Sequence, residues 1–151
     1  MNIAVDQAAR RDRMAVLARC STERLNSLWA KLGLQPAHTP LRGPEAGLVM
    51  LRGRIGGTGE PFNVGEATVT RASVTLEDGS VGHAMALGRD HAKVRLSAVI
   101  DALCRNAEMA ARIDAELIQP MRQELEVADE TRRQQTAATR VDFFTMVRGE
   151  D

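Results

Sequence analysis

The sequence predicts an α+β fold in a single domain, with about four mostly antiparallel strands packed against helices from both ends of the chain. Three observations carry that expectation. Apolar residues recur at helical spacing before residue 33 and after residue 90. Between them, residues 46–88 alternate Val- and Thr-rich runs with glycine clusters and an Asp-Gly turn. A chain of 151 residues suffices for one core, burying roughly two thirds of its surface. The expected layout is N-terminal helices over 1–33, a sheet over 46–88, C-terminal helices over 90–139 and an apolar docking tail over 140–151.

Residues 7–20 read as a helix with Met14, Leu17 and Ala18 on one face and Arg10 and Arg11 opposite. Ser21 caps a second helix, in which Leu25, Leu28, Trp29 and Leu32 share a face and which Gly33 ends. Residues 34–44, with three prolines, read as an extended connector with room for an edge strand. Residues 46–54 form a strand. Its unbroken run Leu48-Val49-Met50-Leu51 predicts cover on both faces.

The Asp78-Gly79 pair predicts a two-residue hairpin turn. That turn pairs Leu76 with Val81, Val74 with His83, Ala72 with Met85 and Thr70 with Leu87, all on an apolar face. The other face sets Arg71, Ser73 and Thr75 against Gly82, Ala84 and Ala86, small enough for another backbone to approach. His83 on the apolar side reads as a hydrogen-bonded core residue. Asp90 then caps a helix whose buried stripe is Leu96, Val99, Ile100 and Leu103. The next helix turns Ile113 and Leu117 inward. Pro120 kinks the chain or opens a new helix, and residues 121–139 form a long polar helix with only Met121, Leu125 and Ala128 as its stripe.

Composition excludes several functions. Twenty basic residues balance twenty acidic ones, which argues against general nucleic-acid binding. No apolar stretch reaches membrane-spanning length, and the N-terminus lacks a signal-peptide pattern, so the expected location is cytoplasmic. Cys20 and Cys104 sit in helical patterns without zinc spacing and read as free, buried thiols. The three histidines show no metal-ligating spacing. Eighteen of the basic residues are Arg, with a surplus of three positive charges over 1–33 and three negative over 90–151.

The stretch RIGGTGEPFNVGEATVTR, residues 54–71, raises the question of phosphate binding. It fails the dinucleotide fingerprint, because Phe62 stands where a glycine is required, and the P-loop, because Glu66-Ala67 follows Gly65. Two readings remain open. The amides of Gly56, Gly57, Thr58 and Gly59 form an anion nest beside Arg54 or Arg71, or the glycines serve a wide strand connection that needs positive φ. Neither reading comes with a catalytic set, although His83 or His91 with Glu60 or Glu66 is a conceivable pairing. The other anomaly is the end. VDFFTMV, residues 141–147, holds five strongly apolar residues and two of the four aromatics in the chain, so it must dock on the domain or on a partner.

The run RIGGTGEPFNVGEATVTRASVTLEDGSVGHAMALGRD, a following helix ending IDAL, and RVDFFTMVRG at 140–149 together resemble the PhnG family of the bacterial carbon–phosphorus lyase system. The likeness extends more loosely over about residues 10–149. The helix after Gly88-Arg89-Asp90 departs from the family pattern, with Lys93-Val94 in place of His-Ala, so a role for that His does not carry over. The resemblance implies a non-catalytic subunit in a core complex with PhnH, PhnI and PhnJ, two copies of each, joined by an ATP-binding-cassette-type subunit. The implied reaction couples an alkylphosphonate to ATP with loss of adenine. It gives a ribose 1-phosphonate 5-triphosphate. The nucleosidase centre is implied to lie in PhnI, and the iron–sulfur cluster and S-adenosylmethionine chemistry in PhnJ, leaving no cofactor on this chain. Phe143, Phe144, Met146 and Val147, flanked by Arg140 and Arg148, are then expected interface anchors.

Overall fold

The computed structural model describes residues 3–139, with side chains from residue 7 onward. The elements are α1 (Ile3–Arg19), α2 (Thr22–Leu32), β1 (His38–Arg54), β2 (Pro61–Leu76), β3 (Val81–Leu87), α3 (His91–Leu103), α4 (Ala107–Ile113) and α5 (Gln119–Ala138). The fold class is α+β as expected, but the sheet has three strands in the order β1-β2-β3, both pairs antiparallel. No fourth strand forms among the described residues, because β1 absorbs the connector: pairing begins at His38, opposite Leu76, and passes Pro40 and Pro44 through register shifts.

Helix ends follow the local chemistry of the sequence. Ser21 Oγ accepts from the Arg24 amide at 3.2 Å, and Gly33 closes α2 at φ 66°. Asp90 Oδ1 accepts from the Lys93 amide at 2.9 Å. The Thr22 hydroxyl also donates to Asp90, and these bonds hold its carboxyl below the ordinary value. Pro120 does not break the chain. A π-helical turn, Asp114–Ile118, joins α4 to α5, with the Gln119 amide donating to the Asp114 carbonyl and helical dihedrals at Ile118 and Gln119. The wider turn accommodates the proline ring and its missing donor.

Helix α3 lies at the centre, between two apolar clusters. On one side Ile100 and Cys104 join Val16, Leu17, Leu25, Leu28, Leu32, Ile113, Leu117, Ile118 and Met121 from the other helices. On the other side Val94, Ala98, Val99 and Ala102 pack on Ala72, Val74, Leu76, Ala84 and Ala86 of the sheet. Met14, Trp29 and Leu103 touch both clusters, which places Trp29 in the core. Leu96 and Leu103 of the expected α3 stripe are only half-buried. Along α5, burial fades from Met121 through Leu125 to an exposed Ala128, and residues 131–139 are exposed throughout.

The register of the second hairpin differs from expectation. Thr75 pairs with Val81, Ser73 with His83 and Arg71 with Met85. The loop therefore has three residues, Glu77-Asp78-Gly79, with the Leu76 amide donating to the Ser80 carbonyl at 2.9 Å and Gly79 at φ 82°. A one-residue slip exchanges the faces of β3. Gly82, Ala84 and Ala86 turn inward, and His83, Met85 and Leu87 turn out. The backbone that the small residues admit is that of α3: a Cβ on Gly82 would stand 2.0 Å from the Ala98 carbonyl oxygen.

Arg10 also departs from its expected place. It reaches Asp101 on α3 in a bidentate pair, Nε at 2.7 Å and Nη2 at 2.8 Å. The same carboxylate accepts the His83 amide at 2.8 Å, tying α1, α3 and the edge of β3 together. Burial alone pushes the Asp101 carboxyl up, but these bonds and the nearby Arg charges outweigh it and hold the group below its ordinary value.

Candidate functional site

The glycine-rich stretch caps a ribbon. Strand β3 ends where Leu87 meets Val69, but β1 and β2 stay paired as far as Arg54 and Pro61. Eight further residues of β2 make a two-stranded arm roughly 26 Å long. At its tip Gly56 and Gly57 take φ values of 61° and 80°, in a short turn that only glycine enters without strain. The Gly59 amide donates to the Ile55 carbonyl at 3.0 Å, and Arg54 Nη1 donates to the Gly59 carbonyl at 3.0 Å. An open hollow of about 470 Å³ beside the tip is lined by Arg52, Gly53, Arg54, Gly57 and Pro61.

The expected phosphate-contacting residues are thus only partly united. Arg54, Gly56, Gly57, Thr58 and Gly59 share the tip. Arg71 does not join them: ten residues of extended β2 separate it from Pro61, roughly 33 Å. Its guanidinium is bound instead to Glu45, Nε to Oε1 at 2.7 Å. The two arginines of the arm, Arg52 and Arg54, are matched by Glu60 and Glu66.

The expected cover on both faces of the Leu48–Leu51 run is not supplied by the described residues of this chain. Leu48 is 62% exposed, Met50 54% and Leu51 45%. Regular pairing puts Leu48 and Met50 on the face continuous with the core side of the sheet and Leu51 on the opposite face. Among the described residues, the helical layer does not extend over the arm. Near the tip, Val64 is the extra residue between the Leu51–Gly65 and Arg52–Asn63 pairs. Gly53 makes room for it, since a Cβ there would meet Val64 Cγ2 at 2.6 Å. Ile55, Phe62 and Val64 are exposed as well. Sequence reasoning missed these residues as a surface. The available signal was length: the apolar runs of β1 and β2 outlast β3, the strand that flanks them among the described residues.

His83 and Glu66, one of the conceivable catalytic pairings, do not meet. Glu66 lies seven residues along β2 from Ser73, the partner of His83, roughly 23 Å away. His83 sits on the open face of the sheet, its Nδ1 2.8 Å from Ser73 Oγ, rather than in the core. Among the described residues no group of three His, Cys, Asp or Glu is placed to hold a metal. Both thiols are buried, and Cys20 Sγ donates to the Leu17 carbonyl at 3.3 Å. Burial raises the Cys20 pKa and pushes Cys104 up to about 12. The tail residues Arg140, Phe143, Phe144, Met146, Val147 and Arg148 lie outside the described residues.

A family model described as phosphonate metabolism protein PhnG matches residues 8–149. The chain belongs to the PhnG family. It is also 51% identical over 144 residues to a protein of Rhizobium meliloti (strain 1021) named alpha-D-ribose 1-methylphosphonate 5-triphosphate synthase subunit PhnG, covering 95% of this chain and 92% of the relative. No helix among the described residues is long and apolar enough to cross a membrane.

Proposed function

We propose that the chain is a non-catalytic subunit of a phosphonate-activating synthase complex. The complex couples an alkylphosphonate to ATP, releases adenine and yields a ribose 1-phosphonate 5-triphosphate. The observation that carries this reading is the 51% identity, across nearly the whole of both chains, to a protein named as a subunit of that synthase. The family resemblance supplies the partners: PhnH, PhnI and PhnJ, two copies of each with this chain, and an ATP-binding-cassette-type subunit. ATP is then a substrate of the assembly, and the iron–sulfur cluster and S-adenosylmethionine belong to PhnJ.

The deciding experiment is purification of the tagged full chain from phosphate-starved native cells, with mass spectrometry of what accompanies it. Stoichiometric PhnH, PhnI and PhnJ support the reading, and turnover by the isolated chain overturns it. The apolar tail is read as an interface anchor. Deleting residues 141–151 is expected to abolish co-purification while leaving the thermal transition of the domain in place.

One observation favours a substrate-contacting role for the tip: Arg54 and the positive-φ glycines stand together at the end of the arm. If the tip reaches the triphosphate or phosphonate at a subunit boundary, Arg54→Ala raises the KM of the complex for ATP or phosphonate. Unchanged kinetics remove that role and leave Arg54 as a brace of its own loop.

A further inference from the structure

We infer that the two-stranded arm, residues 46–68, is an assembly element that inserts into an apolar, uncharged cleft of another polypeptide of the complex. The inference rests on the subunit reading above and names the surface that carries it. A ribbon of two strands is marginally stable at best in water, yet this one extends roughly 26 Å beyond its last flanking strand. Over its two faces and tip, Leu48, Met50, Leu51, Ile55, Phe62 and Val64 together leave on the order of 700 Å² exposed. That is close to the ~800 Å² each partner contributes to a standard interface.

The distribution of these residues selects the occupant. Leu48 and Met50 lie on one face and Leu51 on the other, so a second copy laid against one face leaves the opposite one wet. A cleft covers both. Charge points the same way. Arg52 and Arg54 against Glu60 and Glu66 give the arm no net charge, whereas an anionic membrane or a nucleic acid selects a basic surface. The strand edges add a second contact. Pro40, Pro44 and their register shifts guard the near half of the β1 edge, but residues 46–51 carry no proline or lysine. The β2 edge is open wherever β3 does not reach. A cleft wall that ends in a strand edge satisfies those amides and carbonyls.

The test uses the full chain, co-expressed with the other subunits of the synthase complex, as wild type, as Met50→Gln/Val64→Gln and as Leu41→Gln. Leu41 is an exposed apolar residue outside the arm. Amide exchange is read on the free chain and on the complex. Wild type and Leu41→Gln are expected to assemble, with slowed exchange across 46–52 and 62–68. The arm variant is expected to keep its thermal transition and bind at least about 30-fold more weakly, the loss of one anchor-sized contact. Normal assembly of the arm variant, with unprotected arm amides, overturns the inference while leaving the subunit reading intact. Failure of the wild type to assemble overturns both. A free-chain dimer that the arm variant dissolves, or flotation of the wild type with anionic vesicles, overturns the cleft in favour of a second copy or a membrane.

Discussion

A single methyl group at Gly82 tests the packing at the centre of the fold. In Gly82→Ala the new Cβ would stand 2.0 Å from the Ala98 carbonyl oxygen, 2.4 Å from the Ala102 nitrogen and 2.9 Å from the Ala102 Cβ. All three belong to α3, and two are backbone atoms, so no side chain can turn away to relieve them. Restoring ordinary contact requires α3 to retreat from β3 by about 1.4 Å, and a gap of that size forfeits half or more of the dispersion between the facing residues. It also pulls the Asp101 carboxylate off the His83 amide, now at 2.8 Å, a charge-assisted bond worth about 1.5–3 kcal/mol. With overpacking itself at about 1–3 kcal/mol, the expected total is about 3–5 kcal/mol, or roughly 10 °C in Tm for a chain of this size. Urea unfolding followed by circular dichroism measures it, and amide exchange at His83 reports the local break. Gly47→Ala, where nothing lies within 4 Å of the added carbon, is the matched control and should stay within about 0.5 kcal/mol of wild type. If Gly82→Ala were as mild as that control, with the His83 amide still protected, the close approach of α3 to β3 would be wrong.

Three further outcomes follow from the buried polar groups. Asp101→Asn is expected to cost about 2–4 kcal/mol at pH 7, because it strips a charge partner from Arg10. Its folded pKa lies below the unfolded value of about 3.9, so this stabilisation is complete above that value and fades as pH falls through the lower one. The stability gap between the variant and wild type should therefore narrow below about pH 4, and a gap constant from pH 7 to pH 3 would contradict the pairing. Lys93 Nζ donates to the Ala18 carbonyl at 2.9 Å and the Cys20 carbonyl at 2.6 Å, closing the C-terminus of α1. Lys93→Met should cost about 2–3 kcal/mol in chemical denaturation, and no loss would remove the capping role. With both thiol pKa values raised, neither cysteine should react with a thiol-exchange reagent in the folded chain at pH 8, and both should react in denaturant; rapid labelling of native protein would refute the burial.

What the sequence revealed and what it concealed divide by range. Caps at Ser21, Gly33 and Asp90 were legible because each depends on its neighbours within a turn. The hairpin was legible but its register was not. Asp78-Gly79 fits the centre of a two-residue turn and equally the last two positions of a three-residue loop, where Gly79 takes the left-handed conformation and Asp78 Oδ1 accepts the Ser80 amide at 2.8 Å. That one-residue ambiguity sent His83 to the wrong face while still marking Gly82, Ala84 and Ala86 as a place for a backbone to approach. The bare arm was legible only as a mismatch of lengths between its apolar runs and the strand beside them. An apolar run reports that a strand wants cover, and whether the same chain supplies it depends on how far the other elements extend.

The excess of arginine is explained in part by the chain's own geometry. Arg10, Arg13, Arg19 and Arg24 of the N-terminal helices meet Asp101, Asp114, Asp129 and Glu124 from the C-terminal half, and Arg122 meets Asp12. The positive surplus at one end and the negative surplus at the other thus face each other. Residues 12 and 19 on α1 meet 122 and 129 on α5, the same seven-residue step in both, so the helices run parallel and in register. Exposed pairs of this kind contribute little stability individually. Their consequence is alignment: they direct a helix with almost no apolar stripe along the domain. The arm, with Arg52 and Arg54 against Glu60 and Glu66, carries no net charge. Recognition there must come from shape and apolar contact, which is why the proposed partner is a cleft and why substitution of Met50 and Val64, rather than of any charge, is the decisive perturbation.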